Sequence, residues 1–169
     1  MGADTTRLQG TRFGSQSCLF QITTAGGTQL DWLEGVMGAS YEDKRDRPKV
    51  YGSRRDGRPI GKLAGKYDPG ISSMDMAEET YDLVTDTLAA ESGDGASFGD
   101  VDFTMQIQLF EEDQVTVITK TFEVCNVVGE KGDYPTSGND PLKIALAWDY
   151  LGKDTNGKTL YSGTRTPTT

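Results

Sequence analysis

Histidine is absent from this 169-residue chain. With it go the commonest general base, the commonest transition-metal ligand and the usual near-neutral proton switch, which excludes many enzyme mechanisms at once. Cysteine is scarce: Cys18 and Cys125 are too few for a disulfide-rich scaffold, and no CxxC spacing suggests zinc or redox chemistry. Buried free thiols are the expected state, with a bridge within or between subunits as the lesser alternative. No apolar run approaches the ~18 residues that cross a membrane, and Met1 to Gly10 has no hydrophobic signal region. A soluble chain without membrane anchoring is expected. The Met1-Gly2 start fits a loose myristoylation pattern, but no polybasic patch accompanies it. No sequence period recurs, so repeat architectures are excluded.

Basic residues are the minority, 17 against 26 acids for a net charge of -9. That balance argues against a simple nucleic-acid clamp, which needs a basic footprint to displace counterions. The charge is unevenly placed. Residues 41–66 hold nine basic residues and four acids, +5, leaving -14 for the remainder. Pro48, Gly52, Gly57, Pro59, Gly61 and Gly65 punctuate this stretch, which predicts a long excursion containing an extended hairpin around Lys49 to Tyr51. A solvated loop is the bland alternative. A basic excursion from an acidic body can also seek the body of another copy.

Elsewhere the patterns are mostly those of strands. Residues 1–16 read as a flexible arm with Leu8 and Phe13 as its bulky apolar side chains. Cys18, Phe20 and Ile22 alternate with Leu19, Gln21 and Thr23 up to the Ala25-Gly26-Gly27 turn, and Leu30 to Val36 is expected to return antiparallel. Ile71 to Met76 reads as a strand running into one helix, 77–90. There Ala77, Tyr81, Val84 and Leu88 share a face, and early acids suit the positive N-terminal end. Val101 to Leu109 alternates strictly, with Asp102, Thr104, Gln106 and Gln108 on the polar side. Val115 to Val128 predicts its partner strand, with a phase change near Val117 and Ile118 that signals a bulge or a strand buried on both faces. A loop is expected over 129–141. Leu142, Ile144, Leu146, Trp148 and Tyr150 then share one face, and Asn156-Gly157 supplies a tight turn back into a short strand, Lys158 to Tyr161.

Motifs for chemistry fail on inspection. Gly57 to Leu63 resembles a P-loop, yet one spacer residue is missing and Leu63 stands where a magnesium-binding hydroxyl belongs. Asp149 to Asn156 and Glu111 to Asp113 lack the alternating oxygens of a calcium loop. The many carboxylates fall in turns or on solvated faces, and no serine sits in a GxSxG context or has a histidine to activate it. No cofactor and no catalytic or metal site is expected. An enzyme would have to rest on one specific carboxylate.

In order, these elements resemble the tail tube proteins of bacteriophages and the related secretion-tube proteins of contractile injection systems. The resemblance rests on the strand at Cys18 to Thr23, the long loop 41–66, and the strand and helix at Ile71 to Ala90. It continues through the paired strands Val101 to Val128 and the closing Pro141-Leu142-Lys143-Ile144-Ala145-Leu146 with Asn156-Gly157-Lys158-Thr159-Leu160-Tyr161. It spans most of residues 17–162, and 163–169 is left as a C-terminal tail.

The resemblance implies a mainly β (α+β) fold, a two-sheet β-sandwich or partly closed barrel with one flanking helix and a long basic loop. It also implies hexameric rings stacked into a hollow tube in a virion tail, assembled in the host bacterial cytoplasm, through which genome DNA passes without specific binding. Implied partners are further copies, a tape measure protein, a baseplate or tail tip, a terminator and a sheath. Under this implication Lys44, Arg45, Arg47, Lys49, Arg54, Arg55, Arg58 and Lys62 serve inter-ring contact, and Asp102, Thr104, Gln106, Gln108 and Glu123 are lumen-facing candidates. An injection-system inner tube is the alternative within the same fold. From a different class, the alternative is a monomeric β-sandwich module binding through its basic loop.

Overall fold

The computed structural model describes residues 18–31, 33–51, 59–63, 67–110, 117–138 and 142–160. The expected arm 1–16, the tail 163–169 and Arg54, Arg55 and Arg58 lie outside the described residues. Eleven strands and one helix follow in order among those described. They are β1 (Cys18–Thr24), β2 (Gln29–Leu30), β3 (Val36–Ser40), β4 (Lys49–Tyr51), β5 (Pro59–Lys62), β6 (Ser72–Ala77), α1 (Glu78–Glu91), β7 (Phe103–Phe110), β8 (Val117–Asp133), β9 (Lys143–Asp149), β10 (Gly152–Thr155) and β11 (Lys158–Thr159).

The fold is mainly β, two sheets facing each other in a sandwich that does not close into a barrel. One path of strands, β2-β1-β7-β8-β9-β6-β3, runs through both sheets because β8 belongs to each. Its first half pairs with β7 on one side and β10 on the other; its second half pairs with β9. The bend lies at Glu123 and Val124, where the register slips and Val124 takes φ 52°, while Tyr150 and Leu151 interrupt the partner chain between β9 and β10. An extra residue in one strand turns that strand sharply, and here it carries one strand from sheet to sheet.

Alternation decides which side chains meet between the sheets. Phe20 and Ile22, Phe103, Met105 and Ile107, Met74 and Met76, and Ile144, Leu146 and Trp148 all point inward and are buried. Phe122 lies among Tyr41, Trp148 and Tyr150, with ring centroids at 5.2, 5.0 and 5.0 Å in edge-on geometry. Such pairs add about 1 kcal/mol each beyond the area they bury. The helix packs against β6 and β9 and buries Val84 and Leu88 together with Thr80 and Thr85. Both threonines satisfy their hydroxyls on backbone oxygens, Thr80 on Glu34 and Thr85 on Tyr81 at 3.0 Å.

Several expectations are corrected. The helix begins at Glu78 and ends at Glu91, and Tyr81 is only half-buried. The return along β1 runs through Gln29 and Leu30 to Leu33, whose N–H donates to the Phe20 carbonyl at 2.9 Å, whereas Val36 begins an edge strand on β6. The register of β8 slips at Val124 against β7 and again at Val128 against β9, seven and eleven residues beyond the phase change seen near Val117. Where a loop was expected from Gly129, β8 continues to Asp133, its pairing set by β9. Leu142 is 48% exposed and leaves the inward face that begins at Ile144. The closing hairpin has Asn156 and Gly157 both at positive φ, 50° and 77°, as a two-residue turn matched to strand twist requires.

Candidate assembly surfaces

The outward face of the first sheet is a polar wall four strands wide. Register places Gln21 beside Gln106, Gln106 beside Thr121 and Thr121 beside Asp154; the neighbouring row is Leu19, Gln108 and Thr119. Thr104 stands next to Thr23, and Glu123 falls on the same side because Phe122 before it points inward. The expected Thr104, Gln106, Gln108 and Glu123 are thus brought together. Asp102 lies just before β7, exposed, its carboxylate accepting a bond of 2.7 Å from the Asn126 amide. Gln21, Thr121 and Asp154 belong to the wall as well. Alternation of Gln21 with Phe20 and Ile22 was available to find the first; the bulge in β8 hid the second. No lysine or arginine occupies these positions, so the wall is neutral to acidic.

The basic excursion has an ordered base and a separate hairpin. β4 pairs with β5 and with no other strand among the described residues. At the base, Asp68 N–H donates to the Lys44 carbonyl at 3.3 Å and Gly70 N–H to the Glu42 carbonyl at 3.1 Å, and Arg45 bridges Tyr67. One carboxylate gathers the rest: Asp43 accepts from the Tyr67 hydroxyl at 2.6 Å and meets Lys153 of β10 at 3.3 Å, with side chains only 5% and 13% exposed. Lys120 donates to the Tyr41 hydroxyl at 2.7 Å, and both lysines lie about 5 Å from the Tyr41 ring centre. Tyr150 donates to the Glu42 carbonyl at 2.6 Å; burial, and then the Asp43 charge, push its hydroxyl pKa up.

The expected basic residues divide accordingly. Lys44 pairs with Glu42 at 3.3 Å on the surface. Lys49 and Lys62 stand opposite each other on the hairpin. Asp43, Tyr67 and Lys153, which hold the base, carry no local sequence signal.

Both cysteines are free thiols. Cys18 pairs with Leu109 and Cys125 with Phe103, six positions apart along β7. That separation is about 20 Å, far beyond the ~7 Å limit between α-carbons of a disulfide. Burial pushes the Cys125 thiol up to about 12, so it is an inert core side chain. Cys18 is half-buried, and its pKa is raised by burial and drawn down by Lys120. Of the two readings, the lesser alternative of a bridge within the chain is therefore set aside, and the two thiols are separate.

A sandwich with one helix, a protruding hairpin and a broad polar face is a fold shared with solved structures from a phage tail tube and from contractile injection systems. It matches a chain of the anti-feeding prophage baseplate with TM-score 0.61 and 18% identity over 88% of this chain and 98% of that one. A chain of the sheath-tube complex of an extracellular contractile injection system matches at 0.54 and 10%, over 91% and 99%. The SPP1 tail tube matches at 0.50 and 7%, over 88% and 81%. No family model and no curated protein matches the sequence.

Proposed function

We propose that this chain is the structural subunit of a tail tube, assembling into stacked hexameric rings whose bore conducts genome DNA. The observation that carries it is the polar wall of β1, β7, β8 and β10 joined to the tube fold. Ring closure would line the bore with Gln21, Gln106, Thr121 and their neighbours, and would cover the sandwich's open edges with the next copy's strands. A wall without cations suits passage: phosphate is repelled by Asp102, Glu123 and Asp154 and finds nothing to hold it. Function then resides in surfaces, with no catalysis.

The basic hairpin and its flanks, Lys44 to Lys62, would make the inter-ring contacts. Other partners follow from position along such a tube: a tape measure protein within it, a baseplate or tail tip and a terminator at its ends, a sheath outside. The particle is a virion tail, built in a host bacterium's cytoplasm. A second reading, an injection-system inner tube, is favoured by the likeness to the anti-feeding prophage and sheath-tube chains. Negative-stain microscopy of the purified chain tests both. Hollow tubes or rings are expected, and a strictly monodisperse monomer under all conditions would contradict them. Particles carrying DNA separate a virion from an injection device.

A further inference from the structure

Strand β1, next to one end of the strand path, and β3, at its other end, wall a cleft of about 240 Å³. Phe20, Ile107 and Leu109 line it from the first sheet, and Val36 and Met37 from β3. Its backbone offers little to a further strand. The Phe20 carbonyl already accepts from the Leu33 N–H, and β3 slips register against β6 at Met37, an irregularity that blunts an edge as a pairing template. Recognition in this cleft therefore falls to side chains.

One cation enters this apolar space. Register sets Lys120 beside Ile107 and Lys153 beside Phe122, so both lysines stand on the inward face of the first sheet. Their ammonium groups lie 4.9 and 5.0 Å from the Tyr41 ring centre. Asp43 pairs with Lys153 at 3.3 Å, whereas Lys120 is held at 2.7 Å by the uncharged Tyr41 hydroxyl. No carboxylate among the described residues lines the cleft. A half-buried ammonium on apolar walls without a counter-charge favours an anion beside it.

We propose that the cleft is a binding site for a small amphiphilic carboxylate of the medium-chain fatty acid class. The carboxylate meets the Lys120 ammonium, and the chain lies along Phe20, Ile107, Leu109 and Val36. Size and charge together select this occupant. The volume falls below the roughly 300 Å³ at which pockets for drug-sized ligands begin, so one short chain fills it. A phospholipid brings two chains and a headgroup, which is more than the cleft holds. The site is complete in one copy and does not depend on the tube reading.

Decanoate tests it on the full chain, with decanol as the uncharged match and vesicles of anionic phospholipid as the membrane source. Displacement of anilinonaphthalene sulfonate gives affinities. The rate of Cys18 alkylation reports occupancy, because Cys18 lines the cleft while Cys125 is buried and inert. Decanoate should bind roughly tenfold tighter than decanol, slow the alkylation and raise the melting temperature. Lys120→Met should weaken decanoate about tenfold and leave decanol unchanged, and Lys120→Arg should keep most of the affinity. Circular dichroism checks folding; should Lys120→Met unfold the chain, Lys120→Gln must show the same selective loss. Equal affinity for decanoate and decanol overturns the site, as does a folded Lys120→Met chain that binds decanoate like wild type. Binding to vesicles alone assigns the cation to a membrane and overturns it too. Cys18 protected without ligand and freed by Leu8→Ser with Phe13→Ser would place the chain's own N-terminal segment in the cleft. Protection that appears only as polymer forms would place a second copy there, and either result overturns the ligand.

Discussion

Asp43 and Lys153, 110 positions apart in the chain, meet at 3.3 Å in a nearly closed pocket beneath the basic hairpin. The pair ties the start of the excursion to the closing strand β10, and Tyr67 brings the returning arm to the same carboxylate. Desolvating both charges is costly, so the pair itself adds little over an apolar substitute. Breaking it is another matter. Asp43→Asn or Lys153→Met should each lower stability by about 3 kcal/mol, because each leaves one buried charge uncompensated. The combination Asp43→Leu with Lys153→Met should recover most of the loss. Denaturant midpoints decide; single variants as stable as wild type would show that the pocket admits water.

Val124 is a β-branched residue held at φ 52°, where side chains of its type are strained, and it is 41% exposed. Glycine relieves that strain by about 1–2 kcal/mol and removes little buried surface. Val124→Gly should therefore match or exceed the wild type in thermal stability. Val128→Gly, at an exposed valine of the same strand without positive φ, should lose about 1 kcal/mol. Equal losses at the two sites would mean that the bend does not depend on the backbone of Val124.

Glu91 fastens the end of the helix to the first hairpin. Its carboxylate accepts from the hydroxyl of Thr24 and from the Gly26 amide at 2.8 Å, and the side chains of Thr24 and then Thr28, followed by the backbone amides, hold its pKa below the usual value. A group lowered in the folded state stabilises above its unfolded pKa, and the effect fades as pH falls through the folded pKa. Glu91→Gln should melt below the wild type at pH 7, with the gap closing as the pH falls through the folded carboxyl's lowered pKa. A gap that does not change with acidification would mean that the charge contributes nothing.

Much of the fold was legible because strands declare themselves by period. Met105 and Ile107 inward with Gln106 and Gln108 outward, or Leu146 and Trp148 inward, follow from alternation alone. The polar wall was legible in part for the same reason. What escaped depends on distant partners. Gly129 to Asp133 is polar and glycine-bearing and becomes a strand only because β9 supplies its hydrogen bonds. Val124 adopts a conformation that its own propensity disfavours, so no local rule places the bend there. The Asp43–Lys153 contact spans most of the chain, and each residue alone reads as one more solvated charge.

Cations introduced into the wall should retard DNA if the wall faces a bore. The single change Gln106→Lys keeps the fold, since that side chain points away from the core. Tubes of this variant should retain short duplex DNA that wild-type tubes exclude, and salt should release it, since each phosphate contact releases counterions. Equal retention by both would remove the wall from the bore.

The most direct measurement is a helical reconstruction by electron cryo-microscopy of polymer formed by the purified chain. A tube subunit requires a hollow polymer of stacked rings with Gln21, Gln106 and Thr121 lining the bore. A solid or non-tubular polymer, or a tube with those residues on its outer surface, would contradict it.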